Sequence, residues 1–300
     1  RDVSNCDLGK CYYILLTGED GGIINDAVLL RLNDEQFWVS PGDGDVLLWI
    51  EGVAVNSGMD VNVYEPDVSP LQMGGPKSPH VMYELFGDLA IDLGYYRAAQ
   101  TEVNGIPLVL GRTGWSGELS YELYLQDGSR GNELWGLVAK AGEKYNIKPA
   151  APQLIRSIEG ELLSYASDIS RTDNPYTIDM GRMVNLERED DFIGKAALQK
   201  IHAEGVKRKL VGVEIAGDPI NAPPEHLWAI KDGHNSIGHI TRCIYSPRLK
   251  KNIGFANVPI EYTEIGSKLS IDSPRGLLSA SVCKKPWFPA EIKIPKDDFI

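Results

Sequence analysis

Arg112-Thr113-Gly114-Trp115-Ser116-Gly117-Glu118-Leu119-Ser120-Tyr121-Glu122-Leu123-Tyr124 is a glycine-bracketed turn that runs into an alternating strand. Because strand side chains alternate with a period of two, Glu122 and Tyr124 fall on one face and Tyr121 and Leu123 on the other. A carboxylate beside a phenol, with the Trp115 indole in the preceding turn, suits a flat heterocycle that offers amino and amide donors. An amphipathic edge strand with a solvated glutamate has the same pattern. The residues alone leave both readings open.

Around this stretch the chain alternates short apolar strands with helical periodicity, an α+β pattern. Upstream, the runs Tyr12 to Leu16, Ala27 to Leu30 and Phe37 to Ser40 read as strands separated by turns. Asp45 to Gly58 spaces Val46, Leu47, Trp49, Ile50, Val53 and Ala54 as an amphipathic helix does. Pro66, Pro70, Pro76 and Pro79, with Gly74-Gly75, predict an irregular crossing between domains. Beyond it, helices are predicted over Val81 to Phe86, Asn132 to Tyr145, Gln153 to Ser164 and Phe192 to Glu204, the last stopped by Gly205. Pro107 to Leu110 and Tyr121 to Leu125 read as strands. From Lys209 onward, short strands without helices predict a small antiparallel barrel or sandwich. The expected divisions are 1–70, 71–205 and 206–300. Arg1-Asp2-Val3-Ser4 carries no initiator Met and leads at once into a strand, which reads as a first domain lacking its upstream part.

With 30 Lys+Arg against 42 Asp+Glu, the formal charge is -12, which repels nucleic acid and anionic membranes in the absence of a basic patch. Lys207-Arg208-Lys209 is too short for one and reads as a solvated turn. No apolar run approaches the roughly 20 residues of a membrane helix. Cys6, Cys11, Cys243 and Cys283 lack CxxC spacing, and the histidines are scattered, so metal-independent, redox-neutral chemistry in a cytoplasmic protein with buried thiols is the expectation.

Two further stretches look built for a ligand. In Gly21-Gly22-Ile23-Ile24-Asn25-Asp26 the glycines allow a tight turn that brings Asp26 to the mouth of an apolar strand, although an Asx turn or strand cap fits equally. Ile155-Arg156-Ser157-Ile158-Glu159-Gly160 precedes Tyr165, Asp168 and the turn Asn174-Pro175. Arg156 and Glu159 lie one helical turn apart, so a surface ion pair of a few tenths of a kcal/mol is the default reading.

Taken in order, these motifs resemble the folate-binding glycine-cleavage T-protein superfamily. The matching residues are Gly21-Gly22 with Asp26, Arg112 to Glu118, Glu122-Leu123-Tyr124, Asn174-Pro175, Phe192-Ile193-Gly194-Lys195, and Ser246-Pro247-Arg248-Leu249 with Asn252-Ile253-Gly254. Within the superfamily the chain is more similar to the dimethylsulfoniopropionate demethylases. That similarity rests on Cys11-Tyr12-Tyr13, Asn25-Asp26, Trp115, and Ile158-Glu159-Gly160 leading to Leu162-Leu163-Ser164-Tyr165. One position departs: superfamily members commonly carry an arginine where this chain has Ser157, with Arg156 displaced by one residue, about 100° around the helix.

The resemblance implies a three-domain cloverleaf of two α+β domains and a C-terminal antiparallel β-barrel, with tetrahydrofolate as methyl acceptor in a central channel. It implies Asp26 as the catalytic aspartate, Tyr13, Ser40, Arg112, Glu122 and Tyr124 as folate-binding residues, and Tyr12 and Trp115 against the sulfonium. The implied partners are small molecules only, in a chain that could form a homodimer. The expected reaction moves a methyl group from dimethylsulfoniopropionate to N5 of tetrahydrofolate, giving 5-methyltetrahydrofolate and methylmercaptopropionate. Two rivals are a T-protein aminomethyltransferase, which needs a lipoyl-carrier partner, and a non-catalytic folate-binding protein. The latter carries a Lys-Gly-Cys-Tyr-type loop, whereas here the corresponding turn, Phe192-Ile193-Gly194-Lys195, has no cysteine.

Overall fold

A computed structural model describes residues 2–299 and contains three sheets. Strands β1 (Cys11–Thr17), β2 (Ile23–Arg31) and β3 (Phe37–Pro41) form the first, antiparallel in the order β1-β2-β3. Helix α1 (Val46–Val55) follows, its N-terminus capped by the Asp45 side chain. The second sheet has the order β4-β7-β6-β5, from β4 (Ser69–Gly74), β5 (Ala98–Val103), β6 (Ile106–Gly111) and β7 (Ser120–Leu125). Helices α2 (Ser78–Phe86), α3 (Asp88–Asp92) and α4 (Gly131–Gly142) accompany it. After α5 (Leu154–Glu159) and α6 (Lys195–Glu204) come the six strands of a closed barrel. These are β8 (Arg208–Ile215), β9 (Trp228–Asp232), β10 (Asn235–Ser246), β11 (Lys251–Pro259), β12 (Lys268–Ser273) and β13 (Gly276–Cys283), ordered β10-β11-β8-β13-β12-β9.

The alternation in β7 splits two cores. Tyr121, Leu123 and Leu125 point to one face, where they pack with Val81 and Met82 of α2 and Leu134 and Val138 of α4. Tyr124 points to the other face and packs with Cys11, Leu30, Ala98 and Val109. Each such side chain contributes about 1.5–3 kcal/mol by leaving water. The second sheet therefore lies between its helices and the first sheet, and the two sheets are also tied by an isolated bridge between Lys10 and Arg97. A third core joins Ile23 of β2, Ile158 and Leu163 around α5, and Ile244, Ile253 and Phe255 of the barrel.

Several expectations need correction. The proline-rich crossing contains β4, an edge strand in which Pro70 pairs with Tyr124, while Pro79 sits in the first turn of α2. Both places tolerate a residue with no N–H. The helix expected over Gln153 to Ser164 is only α5, because the chain turns at Gly160 and Glu161 takes a positive φ of 56°. The helix expected from Phe192 starts at Lys195, because Gly194 has φ 90° and a Cβ there would lie 2.5 Å from the Gly18 carbonyl. Arg208 is no solvated turn residue; it opens β8 and donates to Asn257 and to the Ile237 carbonyl. Helix α1 buries only Val46 fully and leaves Leu48, Val53 and Val55 exposed.

Candidate functional site

Register builds the site on the faces where the first two sheets meet. Leu15 is opposite Asp26, Tyr13 opposite Val28, and Val28 opposite Ser40, so Tyr13, Asp26 and Ser40 share one face of the first sheet. Across from it, Glu122 and Tyr124 share the inward face of β7. β7 lies between β4 and β6, which rules out the edge-strand reading.

Two carboxylates dominate this region, each held by hydroxyls. Tyr13 donates its phenolic hydrogen to Asp26 Oδ2 at 2.8 Å. Burial raises the proton affinity of Asp26, the Tyr13 hydrogen bond opposes that rise, and the Asp168 carboxylate adds to it. Burial also pushes the Tyr13 phenol well above its ordinary range, so Tyr13 stays a donor at any physiological pH. Among the described residues no Lys, Arg or His forms an ion pair with Asp26. Glu122 Oε2 accepts from Tyr124 at 2.9 Å and from Thr113 Oγ1, while Oε1 accepts from no described residue. Ser40 also interacts with the Tyr124 phenol, which burial pushes up. Gly111 leaves room here, since a Cβ on it would come within 3.1 Å of Thr113 Oγ1 and 3.3 Å of Tyr124 Cε2. The turn ahead of β7 is equally close, because a Cβ on Gly114 would lie 2.3 Å from Ser120 Oγ.

Tyr12 and Arg112 are not brought to this face. The Tyr12 side chain packs with Cys6 and Leu29, donates to the Asn5 carbonyl at 3.0 Å and carries the Lys10 ammonium 4.9 Å from its ring centroid. Its neighbour Tyr13 takes the site side, as period two requires. Arg112 is buried against Tyr121, its guanidinium 5.0 Å from that ring, and donates to the Leu93 and Ile292 carbonyls at 3.2 and 3.0 Å. These are the contacts of a structural tie.

Trp115 is half-buried and its indole N–H donates to the Leu163 carbonyl at 3.4 Å. The Arg242 guanidinium lies 5.8 Å from its ring. Arg242 was not singled out from sequence, nor was Thr113. The one available signal for Arg242 is a charged residue inside the apolar run Ile240 to Ile244.

The Arg156–Glu159 pair is not an ordinary surface pair. Glu159 is buried, accepts from Ser246 Oγ at 2.6 Å and pairs with Arg156 at 3.2 Å and Arg248 at 3.4 Å. Arg156 also reaches Glu118 at 3.1 Å. These charges line an open cleft of about 320 Å³ with Ser116 and Phe288.

Residues 1–188 match the family model of the GCVT N-terminal domain, and residues 208–289 match that of the glycine cleavage T-protein C-terminal barrel domain. The chain belongs to the glycine cleavage T-protein family. One relative is the dimethylsulfoniopropionate demethylase DmdA of Ruegeria pomeroyi, 31% identical over 96% of this chain and 78% of that protein. An aminomethyltransferase of Clostridium botulinum is also 31% identical, over 98% of this chain and 80% of its own length. The crystal structure of the glycine cleavage system aminomethyltransferase T from Bartonella henselae superimposes with a TM-score of 0.82 at 19% identity, covering 98% of this chain and 80% of that one. That likeness fixes the T-protein fold, with mixed α and β elements followed by an antiparallel barrel. Among the described residues no helix is long and apolar enough to cross a membrane.

Proposed function

We propose that this chain is a tetrahydrofolate-dependent transferase that takes a methyl group from a sulfonium donor, dimethylsulfoniopropionate, and releases methylmercaptopropionate. The observation that carries this reading is Asp26: a half-buried carboxylate that accepts a phenolic hydrogen bond and has no cationic partner among the described residues. An unpaired charge withdrawn in part from water is costly, and a cationic donor supplies the missing partner. Membership of a family whose relatives include a dimethylsulfoniopropionate demethylase supports the same donor.

The residues present fit a pterin. Glu122 keeps Oε1 open for amino and ring N–H donors while Thr113 and Tyr124 hold Oε2, and Gly111 leaves the adjoining space clear. When bound, tetrahydrofolate supplies the ring nitrogen that accepts the one-carbon unit. Glu122, Tyr124 and Ser40 would hold it from the β7 and β3 sides, and Tyr13 keeps Asp26 oriented toward the donor's charge. A sulfonium leaves as a neutral thioether and needs no proton, so positioning is the protein's main task, an effect worth up to roughly 7–11 kcal/mol. The exposed part of the Trp115 ring offers a cation–π contact of about 0.5–2 kcal/mol.

Aminomethyl transfer is the second reading, and the raised proton affinity of Asp26 favours it, since a departing amine needs a proton. Incubation of the purified chain with tetrahydrofolate and dimethylsulfoniopropionate, without a carrier protein, is expected to yield methylmercaptopropionate and 5-methyltetrahydrofolate in equal amounts. Turnover only with an aminomethylated lipoyl carrier would replace the first reading with the second.

A further inference from the structure

Trp38 stands two residues before Ser40 on β3, so period two turns both side chains to the same face of the first sheet. The neighbours agree. Val39 packs with Tyr12 and Leu29 behind the sheet, whereas Trp38 packs with Leu30 and Tyr124 between the two sheets. The Trp38 and Tyr124 ring centroids lie 6.0 Å apart with their planes at 60°, a tilted contact in the favoured range for aromatic pairs. Tyr124 in turn donates to Glu122 Oε2 at 2.9 Å. Trp38 is thus one ring contact and one hydrogen bond away from the carboxylate proposed above to hold the pterin.

Packing alone does not account for this residue. Cys11 and Leu30, which share its row across the sheet, are fully buried, but Trp38 is only half-buried, because β3 is an edge strand. Among the described residues nothing accepts from its indole N–H, and the nitrogen is open to solvent. The other side-chain donors of the site are already engaged. Tyr13 donates to Asp26, Thr113 and Tyr124 donate to Glu122, Ser40 interacts with the Tyr124 phenol, and Trp115 donates to the Leu163 carbonyl. A pterin presents more than donors. The amino and ring N–H edge that suits Glu122 is flanked by a ring carbonyl oxygen and an unprotonated ring nitrogen, both acceptors. An indole can only donate, so it matches those flanking atoms and not the edge itself.

We infer that Trp38 is a further folate-binding residue: its indole N–H donates to a pterin acceptor beside the edge taken by Glu122, while its ring holds Tyr124 in place. The inference deepens the folate reading proposed above and rests on it for the ligand, but it is independent of the methyl donor.

The test follows the N–H itself and needs no turnover. The chain has six tryptophans, so selective ¹⁵N labelling of their indoles gives six N–H signals, and the one lost in Trp38→Phe belongs to Trp38. Anaerobic titration with tetrahydrofolate alone is expected to move the Trp38 proton downfield and slow its exchange with water, in step with the heat of binding measured by calorimetry. Trp38→Phe keeps an aromatic ring against Tyr124 without the N–H, and is expected to bind tetrahydrofolate roughly 3- to 10-fold more weakly. Binding heat in the wild type with an unmoved Trp38 signal, or a folded Trp38→Phe that binds as tightly as wild type, would overturn the inference and leave the Glu122 site standing. Absence of binding heat in the wild type would instead remove the folate reading, and this inference with it. If Trp38→Phe does not fold, Phe variants of the other five tryptophans identify the Trp38 signal by elimination, and its response in the wild type decides alone.

Discussion

Asp26 is a half-buried carboxylate and Asp168 a buried one, and the fold treats them in opposite ways. Asp168 receives a guanidinium, a hydroxyl and a main-chain N–H. Asp26 receives a phenol and no cation among the described residues. A carboxylate answered by fixed protein donors is a structural part, because nothing is left for a ligand to supply. A carboxylate partly withdrawn from water and left without a counter-charge weakens the fold while it waits, and such a cost is expected where a ligand completes the set.

The largest expected contrast lies in stability. Asp168→Asn leaves the Arg242 guanidinium buried without its anion, which costs about 3–5 kcal/mol, or a fall in Tm on the order of 5–15 °C. Asp26→Asn should do the reverse at neutral pH. The folded state raises the proton affinity of Asp26 above its ordinary value, so ionised Asp26 opposes folding above the ordinary carboxylate range. That opposition disappears as pH falls below it. Thermal scans of the ligand-free protein should therefore show Asp26→Asn at or above the wild-type Tm near pH 7, with the difference shrinking toward pH 4. Equal losses in both variants would erase the distinction between the two carboxylates.

A smaller effect is expected at the second site carboxylate. Glu122→Gln exchanges charge-assisted hydrogen bonds for neutral ones, a loss of about 1.5–3 kcal/mol, or roughly 10- to 150-fold in the tetrahydrofolate dissociation constant. Equilibrium titration of the folded variant checks it, and an unchanged constant would remove Glu122 from the folate site.

How far the sequence carries this picture depends on the range of the forces involved. The period-two face of β7 is local, so Glu122 and Tyr124 are legible together, whereas the meeting of Tyr13 and Asp26 depends on the β1–β2 register and appears only in the structure. The start of α6 at Gly194 turns on a positive φ, which glycine permits but does not announce, and the end of α5 on a positive φ at Glu161, which nothing in that residue signals. Arg112 sits one residue from Thr113 in a motif read as ligand-facing, yet its donors go to Leu93 and Ile292 on the far side, since neighbours along extended chain face opposite ways. Arg242 was hidden for two reasons. Its partners lie 74 to 85 residues away, and only a bulge in β10 aims it at them.

The smallest effect bears most directly on whether Asp26 awaits a cation. Calorimetric titration with dimethylsulfoniopropionate and with its carbon isostere lacking the sulfonium charge, 4-methylpentanoate, isolates the donor's positive charge while shape and carboxylate stay constant. The folded wild type, saturated with tetrahydrofolate or a non-reactive folate analogue, is expected to prefer the sulfonium by on the order of tenfold, about 1.4 kcal/mol, and Asp26→Asn is expected to lose that preference. Equal affinity of the wild type for the two ligands, or a preference that survives in Asp26→Asn, would contradict the assignment of Asp26 as the partner of a cationic donor.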